Sequence, residues 1–406
     1  MHTPDQSLEE GRVTYAFDTT RLPAVPFGTE PPGRFEAGLP ALVRVLAERR
    51  EEFMATRQIA PDVIERLKAL GLYRAVVARR FGGDERSPAE FCRMIEAIAE
   101  ADGSAGWVAS FGVSATYLAA LPEPTLEALY ADGPDIVFAG GLFPLQPARK
   151  VEGGFVVNGR WKFGSGSTGA SHIGVGITVE GDTTGGLPRV AVMPAAQVEI
   201  VPDWDVIGLQ GTGSHDLVVR DVFVPEEWTL IRGGAPSVDA AIYRYPTMAF
   251  AAQVLAVVGL GVARSALSEV AAMAGGRASL TGAPRMADRA HVQIEVAKAE
   301  AALRSAQAFF YEATEATWQT VLAGDRPSTE AVATLRLAAT HAARTGADVS
   351  RAAFALAGTT AIYNGHRLSR ALCDSLVVAQ HAFLGEGTLM SAGRVLLGLP
   401  TTAGFP

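Results

Sequence analysis

Cysteine is almost absent: 406 residues contain two, Cys92 and Cys373, far apart in the chain. Such a pair gives neither a disulfide framework nor zinc-ligand spacing, so no metal site is expected and a reducing, cytoplasmic setting is favoured. Excess positive charge is lacking too. The formal net charge of −8 argues against nucleic acid as a partner. No uninterrupted apolar run reaches bilayer length, because Arg or Glu breaks the best candidates, and no membrane association is expected. The opening Met1-His2-Thr3-Pro4-Asp5 is polar and acidic and has no signal-peptide core. A Gly-x-Gly-x-x-Gly turn after a strand is also missing, and with it any sign of a nicotinamide site.

What remains is a globular composition, 48% hydrophobic and 19% charged, on a chain long enough for two or three packed units. Residues 1–34 hold several prolines and little periodicity and read as an arm. From Phe35 to Arg57 the apolar positions Leu39, Leu42, Val43, Leu46 and Phe53 recur at helical spacing. Pro61 suits a helix N1 position, with Val63, Ile64, Leu67 and Leu70 as the buried stripe before Gly71. Ser87-Pro88-Ala89-Glu90 is a capping-box pattern. Beyond the break at Gly103-Ser104, Ala105 to Leu121 reads as one interior helix. Residues 35–134 are thus expected to form an N-terminal helical domain.

Helical periodicity stops between Asp135 and Trp228. Short runs such as Ile136-Val137-Phe138-Ala139, Gly154-Phe155-Val156-Val157 and Arg189-Val190-Ala191-Val192-Met193 alternate with Gly, Pro and Asp182-Thr183-Thr184-Gly185-Gly186 turns. They predict a central antiparallel β domain over 135–232. From 233 to 406 the chain is helical again, with segments at 238–274, 285–322, 328–357, 364–383 and 386–397. Ala-rich faces suit a C-terminal antiparallel helical bundle. The expected fold is therefore α+β, with a β island between two helical regions.

Two stretches of the island carry most of the signal. One is Gly159-Arg160-Trp161-Lys162-Phe163-Gly164-Ser165-Gly166; the other is Gly208-Leu209-Gln210-Gly211-Thr212-Gly213-Ser214-His215-Asp216, closing at Val224-Pro225. Helices, β island and helices in this order, with these motifs, resemble the acyl-CoA dehydrogenase superfamily over nearly the whole chain from about residue 35. Gly159-x-x-x-Phe163-x-Ser165 resembles that superfamily's flavin strand. Within it, Gly159-Arg160-Trp161…Ser165-Gly166, Gly211-Thr212-Gly213-Ser214 and Asp374…His381-Ala382 resemble the two-component aromatic monooxygenases. Ala139–Pro147 stands where the dehydrogenases carry Leu-Thr-Glu-Pro and lacks the Thr-Glu.

The resemblance implies the oxygenase component of a two-component flavin-dependent monooxygenase. It would take reduced FMN or FAD (FMNH2/FADH2) from a separate flavin reductase, form a C4a-hydroperoxyflavin with O₂, and hydroxylate a small phenolic or indole-type aromatic substrate. A homotetramer is expected. Trp161, Phe163, Ser165, Gly166, Thr212 and Ser214 are the implied flavin contacts. A small hydroxyl at Ser165, flanked by glycines, can approach the flavin N5 side closely; as a plain strand-turn serine it would do nothing. The Thr212–Ser214 turn exposes amides and hydroxyls to a ligand, or merely reverses the chain.

His381 follows Arg370 and Asp374 on what reads as one continuous helix, with all three on one face. Its imidazole is the implied substrate base; the alternative is a helix-end histidine packed at a subunit contact. Trp107, Tyr117, Phe143 and Phe383 are candidate pocket walls, although a buried helix tyrosine often only packs. His172 and His215 have weaker claims. Gly169 stands where the monooxygenase pattern often has a histidine, and Thr116-Tyr117 near a second one. Both departures leave indole-type substrates as credible as phenols. Two rivals stand beside this reading. Gly385-Glu386-Gly387-Thr388 resembles the Tyr-Glu-Gly-Thr of acyl-CoA dehydrogenases with tightly bound FAD and Glu386 as base. However, Cys373 replaces their Arg before Asp374, and the gap to Glu386 is about one helical turn too long. The other rival is a flavin-free scaffold.

Overall fold

The computed structural model describes residues 33–181, 187–275 and 284–402. The arm read over 1–34, apart from Gly33 and Arg34, and the 182–186 turn lie outside the described residues. Among the described residues, six helices come first: α1 (Arg34–Thr56), α2 (Pro61–Ala69), α3 (Pro88–Ala101), α4 (Gly103–Ser110), α5 (Ala115–Leu118) and α6 (Glu123–Leu129). The start signals act as read. Pro61 stands at the first turn of α2, and Ser87 and Glu90 complete a reciprocal capping box on α3.

The interior helix expected from Ala105 to Leu121 is broken. It runs as α4, a 3₁₀ turn at Phe111–Ser114, and α5. The Ser110 and Thr116 hydroxyls donate to the carbonyls of Trp107 and Val113, at 2.7 and 2.8 Å. Such i−3 bonds tighten the backbone locally. Apolar composition alone carries no mark of this.

Eight strands follow among the described residues: β1 (Phe138–Pro147), β2 (Arg149–Val151), β3 (Gly154–Trp161), β4 (His172–Thr178), β5 (Arg189–Pro194), β6 (Glu199–Val201), β7 (Asp216–Pro225) and β8 (Thr229–Ile231). They form two four-stranded sheets, ordered β1-β4-β5-β8 and β2-β3-β7-β6. All pairs are antiparallel except β1 with β4, which is parallel. The wholly antiparallel expectation fails there because β2 and β3 form a crossover between the two. Trp161, Phe155, Val175 and Leu217 fill the space between the sheets.

The second helical region comprises α7 (Ala241–Arg244), α8 (Thr247–Ala274), α9 (Ala290–Leu322), α10 (Thr329–Ala357), α11 (Arg367–Ala379) and α12 (Glu386–Leu396). The segment expected at 364–383 is shorter: α11 stops at Ala379, and His381 caps a separate 3₁₀ turn at Ala382–Leu384. Helix α8 is long and apolar enough to cross a membrane by length and composition, contrary to the run count, yet it is a core helix. Glycines let neighbours approach it. A Cβ on Gly261 would meet the Glu96 carbonyl at 2.4 Å, and one on Gly346 would meet the Gly259 carbonyl at 2.6 Å. The two helical regions share a single hydrophobic core, illustrated by the edge contact of Phe91 with Phe250 at 6.0 Å.

Candidate active site

The exits of β3 and β7's preceding loop are laced together by backbone bonds. Gly164 N–H donates to the His215 carbonyl and Gly166 N–H to that of Thr212, each at 2.9 Å. This brings Ser165, Thr212 and Ser214, all buried, into one chain of hydroxyls. Thr212 Oγ1 donates to the Leu209 carbonyl at 2.9 Å. A carbonyl only accepts, so the single Thr212 proton is committed. Ser214, 2.7 Å from Thr212 Oγ1, must therefore donate to it, and Ser165, 2.6 Å from Ser214 Oγ, must donate to Ser214. Trp107 on α4 donates its Nε1–H to Ser165 Oγ at 3.2 Å. The Ser165 oxygen is thus left with acceptor capacity and no proton to give.

A second group of side chains lies beyond Trp107. The His381 ring meets Trp107 edge-on at 5.8 Å and Phe383 at 5.1 Å. His381 Nδ1 accepts the Phe383 backbone N–H at 3.2 Å, capping the 3₁₀ turn. Burial pushes its pKa down to about 4, with the Arg232 guanidinium adding to the effect. The neutral ring therefore carries its proton on Nε2 and is a hydrogen-bond donor. Tyr117 stacks under the Arg232 guanidinium at 4.0 Å and meets Phe138 edge-on. Its hydroxyl is pushed up by burial, partly offset by Arg232.

Several sequence expectations change here. Asp374 does not share a helix with His381. It reaches the other way and accepts the Leu209 N–H at 2.6 Å. Burial, with Asp102 opposing a second charge, pushes the Asp374 carboxyl up to about 7. Trp161 is wholly buried between the sheets, with Nε1–H donated to the Gly176 carbonyl at 2.8 Å. It braces β3 from behind and offers no face to a ligand. Phe163 is the opposite case: its ring is 65% exposed, and its backbone is left-handed at φ 63°. Phe143 is 58% exposed on β1, with no ring contact to Trp107 or His381 among the described residues. Phe383 joins the cluster, whereas Tyr117 contacts Arg232 and Phe138; His172 stacks on Trp228, and His215 accepts the Trp204 N–H. Arg232 went unnoticed in the sequence, where nothing distinguishes it from any surface arginine.

Glu386 opens α12 with its side chain 88% exposed and only a 4.0 Å approach to Arg344. Nothing brings it into the Ser165–His381 group, so it lacks the placement of a catalytic base. A cavity of about 430 Å³ lies beside Gln210 of the 209–212 loop. Its walls include Arg50, Ser104, Gln210, Arg370 and Asp374, but neither Ser165 nor His381. Ser104 supports that loop by accepting the Gly211 N–H at 3.1 Å.

Two observations fit a flavin. An exposed aromatic ring is held in a strained left-handed backbone at Phe163, and beside it Ser165 presents a buried acceptor. The N5 of a reduced flavin carries a proton and donates, whereas oxidised N5 only accepts. The polarity of the hydroxyl chain therefore suits the reduced form.

Fold and site define a flavin-dependent oxidoreductase with the acyl-CoA dehydrogenase architecture. Residues 253–386 match the family described as acyl-CoA dehydrogenase, C-terminal domain. The chain is 56% identical over 357 residues to an indole-3-acetate monooxygenase of Pseudomonas putida, covering 88% of this chain and 92% of that one. It is 48% identical to an indole-3-acetate monooxygenase of Acinetobacter baumannii, covering 90% and 95%. The crystal structure of 3-HSA hydroxylase from Rhodococcus sp. RHA1 superposes with a TM-score of 0.85 at 25% identity, over 92% of this chain and 99% of that one. The chain belongs to the two-component flavin-dependent aromatic monooxygenases and is an oxygenase component. It works with a reductase partner on an aromatic substrate. The dehydrogenase and scaffold readings fall away with this assignment.

Proposed function

We propose that the chain hydroxylates the indole ring of indole-3-acetate, as a cytoplasmic homotetramer. The observation that carries the substrate is the 56% identity to an indole-3-acetate monooxygenase across 88% of the chain. The aromatic cluster supports it. Trp107, Phe383 and Tyr117 offer flat apolar walls, and His381 offers a neutral donor in place of the paired bases a phenol would use. Reduced flavin, when bound, supplies the electrons and activates O₂, so that one oxygen atom enters the ring and the other leaves as water. This chain's residues do the rest. Ser165 accepts a hydrogen bond from the flavin N5 side, and Thr212 and Ser214 fix the direction of that bond. Phe163 lies against the ring system. His381 Nε2–H orients the substrate, and the buried Trp107 side excludes water.

The tetramer is supported by apolar side chains left in the open near the C-terminus: Ile362, Tyr363, Met390, Leu396 and Leu397. The cytoplasmic setting is supported by two free thiols. To test the function, purified protein is mixed with a flavin reductase, NADH, O₂ and indole-3-acetate. A hydroxylated indole-acetate should form with little hydrogen peroxide. Peroxide formation alone, with indole-3-acetate recovered intact, overturns the substrate. Light scattering on the eluting protein tests the tetramer, and fractionation of expressing cells tests the compartment.

A further inference from the structure

Arg232 follows β8 directly, its backbone N–H held by the Pro188 carbonyl at 2.9 Å. Some part-buried arginines pair with carboxylates: Arg86 has Glu36 at 2.7 Å, and Arg264 has Glu300 at 2.6 Å. Arg74 is likewise paired with Asp135; Arg50 instead donates to the Ala101 carbonyl at 2.7 Å. No carboxylate lies within ion-pair reach of Arg232 among the described residues. Its guanidinium instead rests on the Tyr117 ring at 4.0 Å, and its Nε is buried with no hydrogen-bond partner. A desolvated cation without a counter-ion is costly. A cation–π contact recovers part of that and leaves Nε–H unpaired.

The position of this charge matters as much as its isolation. Its field reaches His381, where it helps to keep the imidazole neutral. The guanidinium lies on the Tyr117 ring at 4.0 Å, and its charge acts on the aromatic group of Trp107, His381 and Phe383. An aromatic ring seated against these side chains could turn a short acidic side arm toward the guanidinium. Arg is the side chain whose planar fork pairs best with a carboxylate.

We propose that Arg232 is the specificity residue of this enzyme, receiving the carboxylate of an aryl-alkanoic acid while its face stays stacked on Tyr117. The inference rests on the aromatic-acid substrate argued above and adds the group that selects it over neutral indoles. Charge neutralisation then occurs on binding, which favours acids over amides, esters and unsubstituted rings. An acid bound this way also completes the hydrogen bonding of a group otherwise left unpaired.

The test compares indole-3-acetate with indole-3-acetamide, a neutral analogue of nearly the same shape. Both are titrated anaerobically into enzyme holding reduced flavin, using wild type, Arg232→Gln and Arg232→Lys. Wild type should prefer the acid by roughly tenfold to a hundredfold, the usual range for a charge-assisted pair. Arg232→Gln should bring that ratio close to one, and Arg232→Lys should restore part of it. Far-ultraviolet circular dichroism of each variant shows whether the fold persists, and the lysine variant keeps the test open if glutamine does not fold. If wild type prefers the acid and both variants keep the full ratio, Arg232 is not the carboxylate site, although the acid substrate stands. If wild type binds acid and amide alike, the acid substrate and the Arg232 assignment fall together.

Discussion

Trp107 Nε1–H donates to Ser165 Oγ across 3.2 Å, tying helix α4 to the exit of strand β3. On its other side Ser165 has spent its proton on Ser214, which has spent its own on Thr212. A serine in this position is an acceptor by elimination. Ser214→Ala should therefore change the preference of the site, since Ser165 regains a free proton to donate. Wild type is expected to bind reduced flavin at least tenfold tighter than oxidised flavin, in line with a hydrogen bond gained in one state and lost in the other. In Ser214→Ala that ratio should shrink severalfold, mainly through tighter binding of oxidised flavin. Fluorescence titration with oxidised flavin and anaerobic titration with reduced flavin measure the two arms. An unchanged ratio would mean that the hydroxyl chain does not set the polarity.

This part of the site was legible in sequence only as identities. Glycines beside Ser165 and between Thr212 and Ser214 marked turns near a ligand, because such backbone needs little side chain. The direction of each proton was not legible, since it depends on which hydroxyl meets the Leu209 carbonyl. Element order was legible for a different reason: periods of two and of 3.6 residues separate strands from helices wherever one face is buried. At Trp161 the motif resemblance, not the periodicity, pointed to the flavin: alternation places Trp161 in the sandwich, while the left-handed turn swings Phe163 outward. His381 was placed on the wrong element because nothing local announces that α11 ends two residues earlier.

The two functional readings of His381 part company in a pH profile. Its pKa is pushed down to about 4 by burial and by Arg232. A donor that is neutral from about pH 5 upward should give a single-turnover hydroxylation rate without an inflection near 6.5. A base with an ordinary imidazole pKa would show one. His381→Asn retains an N–H donor and should keep a measurable fraction of the rate, while His381→Ala should lose about a hundredfold, the lower end of what positioned groups contribute. An inflection near 6.5 that disappears in His381→Asn would restore the base.

Asp374 and His381 act on stability in opposite senses. Asp374 is pushed up to about 7 in the fold from an ordinary carboxylate value. Because the folded state then holds a proton that the unfolded chain has lost, this group makes the protein less stable as pH rises from about 4 to 7. His381 is pushed down, so the unfolded state holds the extra proton, and its contribution is lost as pH falls from about 6.5 to 4. The two partly cancel in wild type. Asp374→Asn keeps an oxygen to accept the Leu209 N–H and removes only the titration. Its Tm should therefore rise steadily between pH 4 and 6.5 and exceed that of wild type above pH 7. Parallel Tm curves for the two proteins across this range would show that Asp374 titrates normally.

Phe163 sets local strain against binding. A left-handed backbone costs a residue with a Cβ about 1–2 kcal/mol, and here it is adopted at φ 63° by a large ring that is 65% exposed. Exposure on this scale recovers little burial energy in the free protein; the nearest ring, Trp204, offers one edge contact at 6.3 Å. Phe163→Gly should then raise the Tm of the flavin-free protein, while Phe163→Ala, which keeps the Cβ, should not. Both should weaken reduced-flavin binding, by roughly threefold to tenfold for a lost aromatic stack worth about 0.5–1.5 kcal/mol. The glycine variant is thus expected to be more stable when empty and less stabilised by ligand than wild type, an exchange that differential scanning calorimetry with and without reduced flavin reads directly. If Phe163→Ala binds flavin as tightly as wild type, the exposed ring is not a flavin contact, and the strain at this turn serves something else.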